Sequence, residues 1–426
     1  MTILGIADAT VASLVRVISD PDHDRDAVAE RFARATWTGI AEPGDRLAGI
    51  VVAAVGAEPA LAALIADREG GALRELITAL DGGLDGLGLE DHELDDAVAR
   101  WTPRISQPDA LRALRQAARF ATQLVVPGDP DWPAPLDDLA EHAPIALWLR
   151  GNRDALRDLG CGVAIVGARA ATGYGEHVTI ELAAGLVDRG YAIVSGAAYG
   201  VDGAAHRAAL ASRGTTIAIL AGGLDRFYPS GNEALITRVA ERGAVISEVP
   251  CGVAPTKWRF LQRNRLIAAA SLATVVVEAG ARSGSLNTAG HAAALGRPLG
   301  AVPGPITSSA SAGCHRLLRE YDAVCVTTAD EIAELAPLPE PAFDADVECT
   351  EPPNVEEAEA HGRRPAADPT GTRIRLLDAL SARSPRSAEK IAALSGLGAD
   401  RVRAELGLLS LDGAVRERAG GWVRAT

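Results

Sequence analysis

The central part of this sequence predicts a doubly wound α/β fold built on a parallel sheet. Between about residues 121 and 336, short runs of Val, Ile and Ala recur, and each is followed by a Gly-containing turn and an amphipathic stretch. Continuous apolar runs are typical of strands buried on both faces, and their alternation with helical stretches indicates right-handed crossovers between parallel strands. The runs are VAIVG (163–167), YAIVSG (191–196), TIAILAGG (216–223), GAVISE (243–248), ATVVVEAG (273–280) and PLGAVPG (298–304).

The regions that flank this fold differ from it in composition. Residues 1–120 are rich in Ala, Leu, Arg and Asp at helical spacing, which predicts a small helical domain. Residues 337–369 are acidic and Pro-rich, which is typical of a disordered linker. Residues 370–426 carry three helical patterns and then two strand-like stretches around Gly420-Gly421, which together predict a winged helix.

A Gly-rich segment, GGLDGLGL (82–89), lies inside the helical region. It could form the tight turn of a helix–hairpin–helix motif, in which backbone N–H groups hold DNA phosphates. An ordinary connection between two helices is the alternative, and we favour it because Gly-rich turns are common.

Composition excludes several classes of function. The formal net charge of −14 argues against a general nucleic-acid-binding surface, although the local field matters more than the total charge. The apolar stretch 47–66 is interrupted by Glu58-Pro59, so we expect no membrane span. The five cysteines form no CxxC pair, which predicts neither a disulfide framework nor a metal site. We find no signal-peptide pattern, and we expect a cytoplasmic protein without a cofactor.

The first motif that could form a binding site is VAIVGARAATGYG (163–175). In it a strand ends at Gly167 and a helix begins near Thr172 and Gly173. A helix N-terminus presents free N–H groups with positive partial charge, and Arg169 adds a forked donor suited to phosphate. The glycine spacing does not fit the dinucleotide pattern G-x-G-x-x-G. We therefore predict a phosphate contact here, with a tight turn and a solvated Arg169 as the alternative.

A second motif, VSGAAYGVDGAAH (194–206), repeats the sequence of strand, glycine turn and helix. Two such turns side by side predict a row of N–H donors that can hold successive phosphates. Asp202 fits a helix N-cap better than a catalytic acid, and a packing role is favoured over base catalysis for His206. From this turn, the predicted site takes Ser195, Gly196, Gly200 and Asp202.

The third motif, TKWRFLQRNRLI (256–267), places four cations within nine positions and puts aromatic residues between them. Cations can follow a DNA backbone while aromatic rings stack on bases, which suits a single strand. The chain has 42 basic residues, and only Lys257 and Lys390 among them are lysines. A solvated basic helix with Phe260 in the core is the alternative. From this motif, the predicted site takes Lys257, Phe260, Arg263 and Arg265, whereas Trp258 and Arg259 complete the cluster.

A fourth motif, ATVVVEAGARSGSLNTA (273–289), ends a strand close to two hydroxyl side chains, Ser283 and Ser285. Hydroxyl groups at the start of a helix can bind phosphate or simply cap the helix, and we include both serines in the predicted site. Glu278 could act as a catalytic acid, but no second carboxylate or metal-ligand cluster accompanies it. We therefore predict no catalytic residue.

Taken together, these motifs resemble the DNA-processing protein A family (DprA/Smf). The resemblance spans about residues 123–327, and its lead-in PDWPAPLDDL…PIALWLRGN (130–152) fits as well. It is carried by the ordered motifs GARxxTxYG, SGxxxGxD, TIAxLxGGLDRxYPxxN, FxxRNRLI, VVVEAxxxSGSLxTA and GRPxxAVPG.

The resemblance implies an extended Rossmann fold and a protein that dimerises, binds single-stranded DNA and passes it to the recombinase RecA during natural transformation. The C-terminal module also fits the family's frequent winged-helix domain. The N-terminal region, which we predict to be of SAM or helix–hairpin–helix type, matches the family only loosely. DNA contacts are implied at Arg169, the turn from Ser195 to Asp202, Lys257 and Phe260. Ala168 stands where Ser or Thr is usual in the family, which should be tolerated, whereas Asn287 and Cys314-His315 predict altered local packing.

Two other classes of function remain open at this point. A nucleotide phosphoribohydrolase would share the sheet and its glycine turns, but AGGLDR and VPGPIT do not supply the PGGxGT-like phosphate loop that it needs. A transcription regulator would use the winged helix on duplex DNA, since residues 370–426 hold ten basic and six acidic residues.

Overall fold

The computed structural model describes residues 4–338 and 369–425, and the first part of the chain is helical, as predicted. The helices begin at side chains that accept backbone N–H groups: Asp24 accepts from Ala27 and Asp45 accepts from Ala48. Within residues 4–120 the α-helices are α1 (Asp8–Ile18), α2 (Arg25–Ile40), α3 (Arg46–Val55), α4 (Ala57–Ala66), α5 (Gly71–Thr78), α6 (Gly83–Gly86), α7 (Asp91–Trp101) and α8 (Gln107–Arg119).

The Gly-rich segment at 82–89 forms the single turn α6 and its flanks. The N–H groups of Gly86, Leu87 and Gly88 donate to carbonyl oxygens inside the same segment. These donors are therefore occupied, which is the behaviour of an ordinary helix connection.

The central region forms one mixed sheet, and all the strands predicted from the apolar runs are confirmed. Within residues 4–338 the strands are β1 (Gln123–Val125), β2 (Leu147–Gly151), β3 (Gly162–Val166), β4 (Ala192–Ser195), β5 (Thr216–Leu220), β6 (Ala244–Ser247), β7 (Ala273–Val276), β8 (Leu299–Ala301) and β9 (Val324–Cys325). Their order is β1-β2-β6-β5-β4-β3-β7-β8-β9, and the pairings from β6 to β9 are all parallel. The sequence analysis did not predict β1, β2 or β9, and β2 pairs antiparallel to both of its neighbours.

Helices cover both faces of the sheet, which explains why its strands are continuously apolar. Val163 and Ile165 of β3 pack with α9 and α10, whereas Ala164 and Val166 face α12 and α13. The helices of this region are α9 (Gly173–Asp188), α10 (Val201–Ala211), α11 (Glu233–Arg242), α12 (Lys257–Ala269), α13 (Ser285–Ala294), α14 (Ala312–Glu320) and α15 (Ala329–Leu335).

The sheet reverses its direction of growth between β3 and β7. The chain runs from β3 outward through β4, β5 and β6, and α12 then carries it back to β7 on the other side of β3. Loops that leave two such neighbouring strands diverge, and the crevice between them is where ligands of open α/β sheets bind. The loop after β3 and the loop after β7 therefore mark the expected site.

The C-terminal part of the chain is a winged helix, as predicted. Within residues 369–425 it contains α16 (Pro369–Ala379), α17 (Ala388–Ser395), α18 (Ala399–Leu411) and the hairpin of β10 (Val415–Arg418) with β11 (Gly421–Arg424). The predicted acidic linker falls almost wholly outside the described residues.

The described residues offer no individual helix that is long and apolar enough to cross a membrane. The pair α3 and α4 would pass on length and composition together, but the two helices are bent by 106° at their junction.

The departures from the family motifs are accommodated by direct contacts. The buried Cys314 thiol donates to the carbonyl oxygens of Val276 and Val277 at 3.5 and 3.6 Å. Asn287 accepts a hydrogen bond from the side-chain amide of Asn264 at 3.1 Å. The residues at these two positions therefore make hydrogen bonds at the end of β7 and in the helix that follows it.

Candidate nucleic-acid interface

A cavity of about 930 Å³ opens at the crevice beyond β3 and β7. Its wall combines the loop after β3, the loop after β7 and residues of α12 between Lys257 and Ile267. The structure thus brings residues of all four sequence motifs to one place, and the second motif contributes Ala198 and Asp202. The predicted site residues that line the cavity are Gly167, Arg169, Asp202, Lys257, Phe260, Arg263, Ser283 and Ser285.

An aromatic pair lies in the wall of this cavity. The ring centroids of Phe260 and Tyr228 are 5.7 Å apart and the rings are tilted by 55°. The guanidinium of Arg169 lies 5.1 Å from the Phe260 centroid, and that of Arg263 lies 5.8 Å from it. Since Tyr228 is 50% exposed, the pair offers an accessible aromatic surface beside cations.

The accessible charge of the cavity is mainly positive. Arg169, Lys257 and Arg282 line the cavity and are exposed to solvent. Lys257 is the first residue of α12, and Thr256 caps this helix by accepting a hydrogen bond from the N–H of Arg259 at 3.2 Å. These cations come from three different loops or helix ends, so they can contact successive anionic groups.

The predicted row of backbone N–H donors is wrong for the second motif. Asp202 is buried, and its carboxylate accepts from the N–H groups of Gly196 at 3.2 Å and Ala198 at 3.4 Å. The Ser195 hydroxyl donates to the carbonyl oxygen of Ile165 inside the sheet. Neither Ser195 nor Gly196 lines the cavity. Burial raises the pKa of Asp202, although Arg263 opposes the shift.

Gly200 has a structural role in the same turn and also lies outside the cavity wall. Its φ is +73°, and a Cβ atom there would collide with the carbonyl oxygen of Ala168. The turn therefore packs directly on the loop that carries Arg169, and only glycine permits this approach.

The N-terminus of α9 is likewise occupied by a carboxylate. Glu278 is buried and accepts from the N–H of Thr172 at 2.8 Å and from its hydroxyl at 2.6 Å. Thr172 in turn caps the helix by accepting from the N–H of Gly175. Thr172 and Gly173 are exposed but do not line the cavity, so their phosphate contacts remain a prediction. Glu278 holds the turn in place and is not positioned as an acid toward the cavity.

The cations of α12 are mostly buried, which contradicts the alternative of a solvated basic helix. Arg263 donates to the carbonyl oxygens of Gly196 and Ile219, and burial lowers its pKa to about 10. Arg265 does not line the cavity, because its guanidinium is engaged by Glu248 at 2.5 and 2.6 Å. The prediction that Arg265 contacts DNA is therefore wrong, and Lys257 is the exposed cation of this helix.

Arg259 connects α12 to the helical region instead of to the cavity. Its guanidinium donates to both carboxylate oxygens of Glu42, at 3.0 and 2.8 Å, and both residues are buried. Arg104 donates to the same carboxylate at 2.7 Å.

The serines after β7 are placed by each other. The hydroxyl oxygens of Ser283 and Ser285 are 2.7 Å apart, and the N–H of Ser285 donates to Ser283 at 3.4 Å. The pair thus orders the start of α13 where it borders the cavity, so the capping and binding interpretations are compatible here.

His206 has the packing role in the protein interior that was predicted for it. It is fully buried, its Nδ1 lies 2.7 Å from the Thr216 hydroxyl, and burial lowers its pKa to about 3.

Sequence reasoning missed some residues of the cavity wall. Tyr228 lies after β5, in a segment to which we assigned no site residue, and the exposed Arg282 was passed over beside Ser283. An aromatic residue next to Pro229 after a buried strand was the available signal for Tyr228. Asp378 also lines the cavity, and it comes from the winged helix.

Comparison with known proteins places this architecture in a family. Residues 123–337 match the family model described as DNA recombination-mediator protein A, and residues 359–421 match the DprA winged helix domain. The chain is 45% identical over 324 residues to a DNA processing protein DprA of Mycobacterium tuberculosis, which covers 71% of this chain and 77% of that protein.

Two further relatives agree with this assignment. Protein Smf of Escherichia coli is 36% identical over 261 residues, covering 56% of this chain and 69% of that protein. The structure of DNA processing protein A from Streptococcus pneumoniae superposes with a TM-score of 0.55 at 28% identity, covering 72% of this chain and 97% of that one. The chain therefore belongs to the DprA/Smf family of DNA-processing proteins, as the order of its motifs predicted.

Proposed function

We propose that this protein binds single-stranded DNA in the cavity beyond β3 and β7. The observation that carries the proposal is the placement of Arg169, Lys257 and Arg282 around the Phe260–Tyr228 pair in one cavity. Cations that follow the backbone and aromatic rings that stack on bases form the usual combination for unpaired strands. Because nearby backbone N–H groups are taken by Asp202 and Glu278, side chains supply the contacts.

The proposal is for a non-catalytic protein. The two buried carboxylates near the cavity, Asp202 and Glu278, each accept hydrogen bonds from backbone N–H groups. A general acid or base has to reach the reacting atom with a free proton position. Both groups are instead used to hold loops, which favours a binding function over a phosphoribohydrolase.

We further propose that the bound strand is delivered to the recombinase RecA by a cytoplasmic homodimer. The support is the family description, which is that of a recombination mediator. A mediator has to hold a strand by its backbone without reading its sequence, and a cavity lined by cations and aromatic rings meets that requirement.

A salt-titrated comparison of single-stranded, duplex and mononucleotide ligands tests the binding proposal. Lys257→Ala and Arg169→Ala should each weaken single-strand binding for all sequences and lower the salt slope by about 1. Arg157→Ala is the matched control, because Arg157 is exposed and precedes β3 at the opposite end of that strand. Unchanged affinity and slope in both site variants would rule out the site.

A further inference from the structure

The first turn of α12 has a partner within the same chain. Helix α16 of the winged helix packs against it, and the N–H of Trp258 donates to a carboxylate oxygen of Asp378 at 3.2 Å. The guanidinium of Arg375 lies 5.4 Å from the centroid of the Trp258 ring. One acidic and one basic residue of α16 thus hold the residue that directly follows Lys257.

Asp378 brings negative charge into the cavity that we assign to DNA. It lines the same wall as Lys257 and Arg169, and it is half-buried. A carboxylate that accepts an N–H at the start of a helix makes the contact that a phosphate oxygen makes at such positions. The phosphates of a bound DNA strand and the Asp378 carboxylate are therefore both negatively charged at the same place, and their repulsion disfavours DNA binding.

When the winged helix is docked on α12, it also covers part of the Trp258 ring. Trp258 is one of the aromatic residues that the sequence places between cations, and Arg375 covers a face of its ring. Its Nε1–H is buried and finds no acceptor among the residues that the structure describes. An unpaired buried donor is unfavourable, so this side chain gains a hydrogen-bonding opportunity when the winged helix leaves.

We propose that the winged helix and single-stranded DNA compete for the first turn of α12, an inference that rests on the proposed function. The docked winged helix lowers the affinity of the cavity for DNA. By linkage, a bound strand weakens the docking of the winged helix by the same factor. The winged helix is then released when DNA fills the cavity, and its α16 face becomes available.

The test measures the affinity of the full-length protein for a dT oligomer in three variants. Asp378→Asn keeps an oxygen that can accept from Trp258 but removes the charge, and it should tighten binding by about threefold to tenfold. Glu417→Gln removes an equal charge from the exposed face of β10 and should leave the affinity unchanged. Lys257→Ala should weaken binding, and it reports on the cavity independently of the winged helix.

The outcomes separate this inference from the proposed function. Competition between the winged helix and DNA would be overturned if Asp378→Asn bound with the wild-type affinity, or if Asp378→Asn and Glu417→Gln tightened binding equally. In either case, weaker binding by Lys257→Ala would still identify the cavity as the binding site. A wild type that binds no single strand would remove the proposed function itself. Hydrogen exchange gives the reciprocal measurement: saturating dT should speed amide exchange across Pro369–Ala379, and slower exchange there would show joint binding and refute the competition.

Discussion

The carboxylate of Glu42 and the guanidinium of Arg259 form a buried ion pair with two hydrogen bonds, at 3.0 and 2.8 Å. Glu42 follows α2, and Arg259 lies in the first turn of α12, so the pair joins the helical region to the helix that carries Lys257. The N-terminal region therefore takes part in positioning the cavity even though none of its residues lines it.

Replacement of this carboxylate should destabilise the protein strongly. Glu42→Gln leaves the buried guanidinium of Arg259 and the half-buried guanidinium of Arg104 without this counter-charge, and such a loss typically costs about 3–5 kcal/mol. Urea unfolding measures the loss. Glu320→Gln, which breaks an exposed ion pair with Arg316, is the control and should change stability by no more than about 1 kcal/mol. Similar losses in both variants would contradict a special role for the buried pair.

The same carboxylate predicts a loss of stability in acid. Burial opposes ionisation of Glu42, but Arg259 and Arg104 outweigh it and hold its pKa at about 2, below the ordinary value of 4.5. The group thus contributes stability that is fully present above about pH 4.5 and is lost as the pH falls toward 2, on the order of 3 kcal/mol. The unfolding free energy of the wild type should converge with that of Glu42→Gln over this range, and a constant difference would contradict the assignment.

Removal of the aromatic surface should weaken DNA binding without regard to sequence. Phe260→Ala loses a stacking platform worth about 1–3 kcal/mol per base, so affinity for dT and for mixed single strands should fall by similar factors. Phe260→Leu keeps apolar volume and removes the aromatic face, and it should lose nearly as much affinity. If Phe260→Leu binds as tightly as the wild type, Phe260 acts by packing and not by stacking. Thermal unfolding of both variants serves as the check on folding.

The contact between the two glycine turns should be intolerant of a side chain. Gly200→Ala places a Cβ against the carbonyl oxygen of Ala168 at a positive φ, so we expect a loss of about 1–3 kcal/mol and weaker DNA binding through a displaced Arg169. Gly290→Ala is the matched control, because a Cβ in that turn of α13 meets no atom within 4 Å. The control should be neutral or stabilising by up to about 1 kcal/mol. A stable, fully binding Gly200→Ala variant would refute the close-approach argument.

The sheet was predictable because its signal is local. Each apolar run is followed by its own turn, and the strand from Val163 to Val166 is apolar throughout because both of its faces are covered. The edge strands β1 and β9 and the neighbouring strand β2 were not predicted. β1 and β9 have only three and two residues, and β2 is antiparallel, outside the repeating pattern of strand and helix.

The composition of the site was predictable only in part, because the free or paired state of a charge depends on distant residues. Arg259 is neutralised by Glu42, which lies 217 positions away, whereas Arg265 is neutralised by Glu248, which lies 17 positions away and directly follows β6. The local sequence around Lys257 does not show which of these cations are paired and which are exposed. Only the tertiary fold distinguishes the exposed Lys257 from the buried guanidinium groups beside it.

The reversal of strand order between β3 and β7 has a consequence for synthesis of the chain. The wall of the cavity joins the turn after β3 to a strand and a helix that the ribosome makes about a hundred residues later, from Lys257 to Ser285. A nascent chain that ends before β7 contains the glycine turns but lacks the loop after β7, so the cavity proposed to bind a DNA strand is incomplete. If the cavity binds DNA as proposed, this capacity is acquired only once β7 lies beside β3.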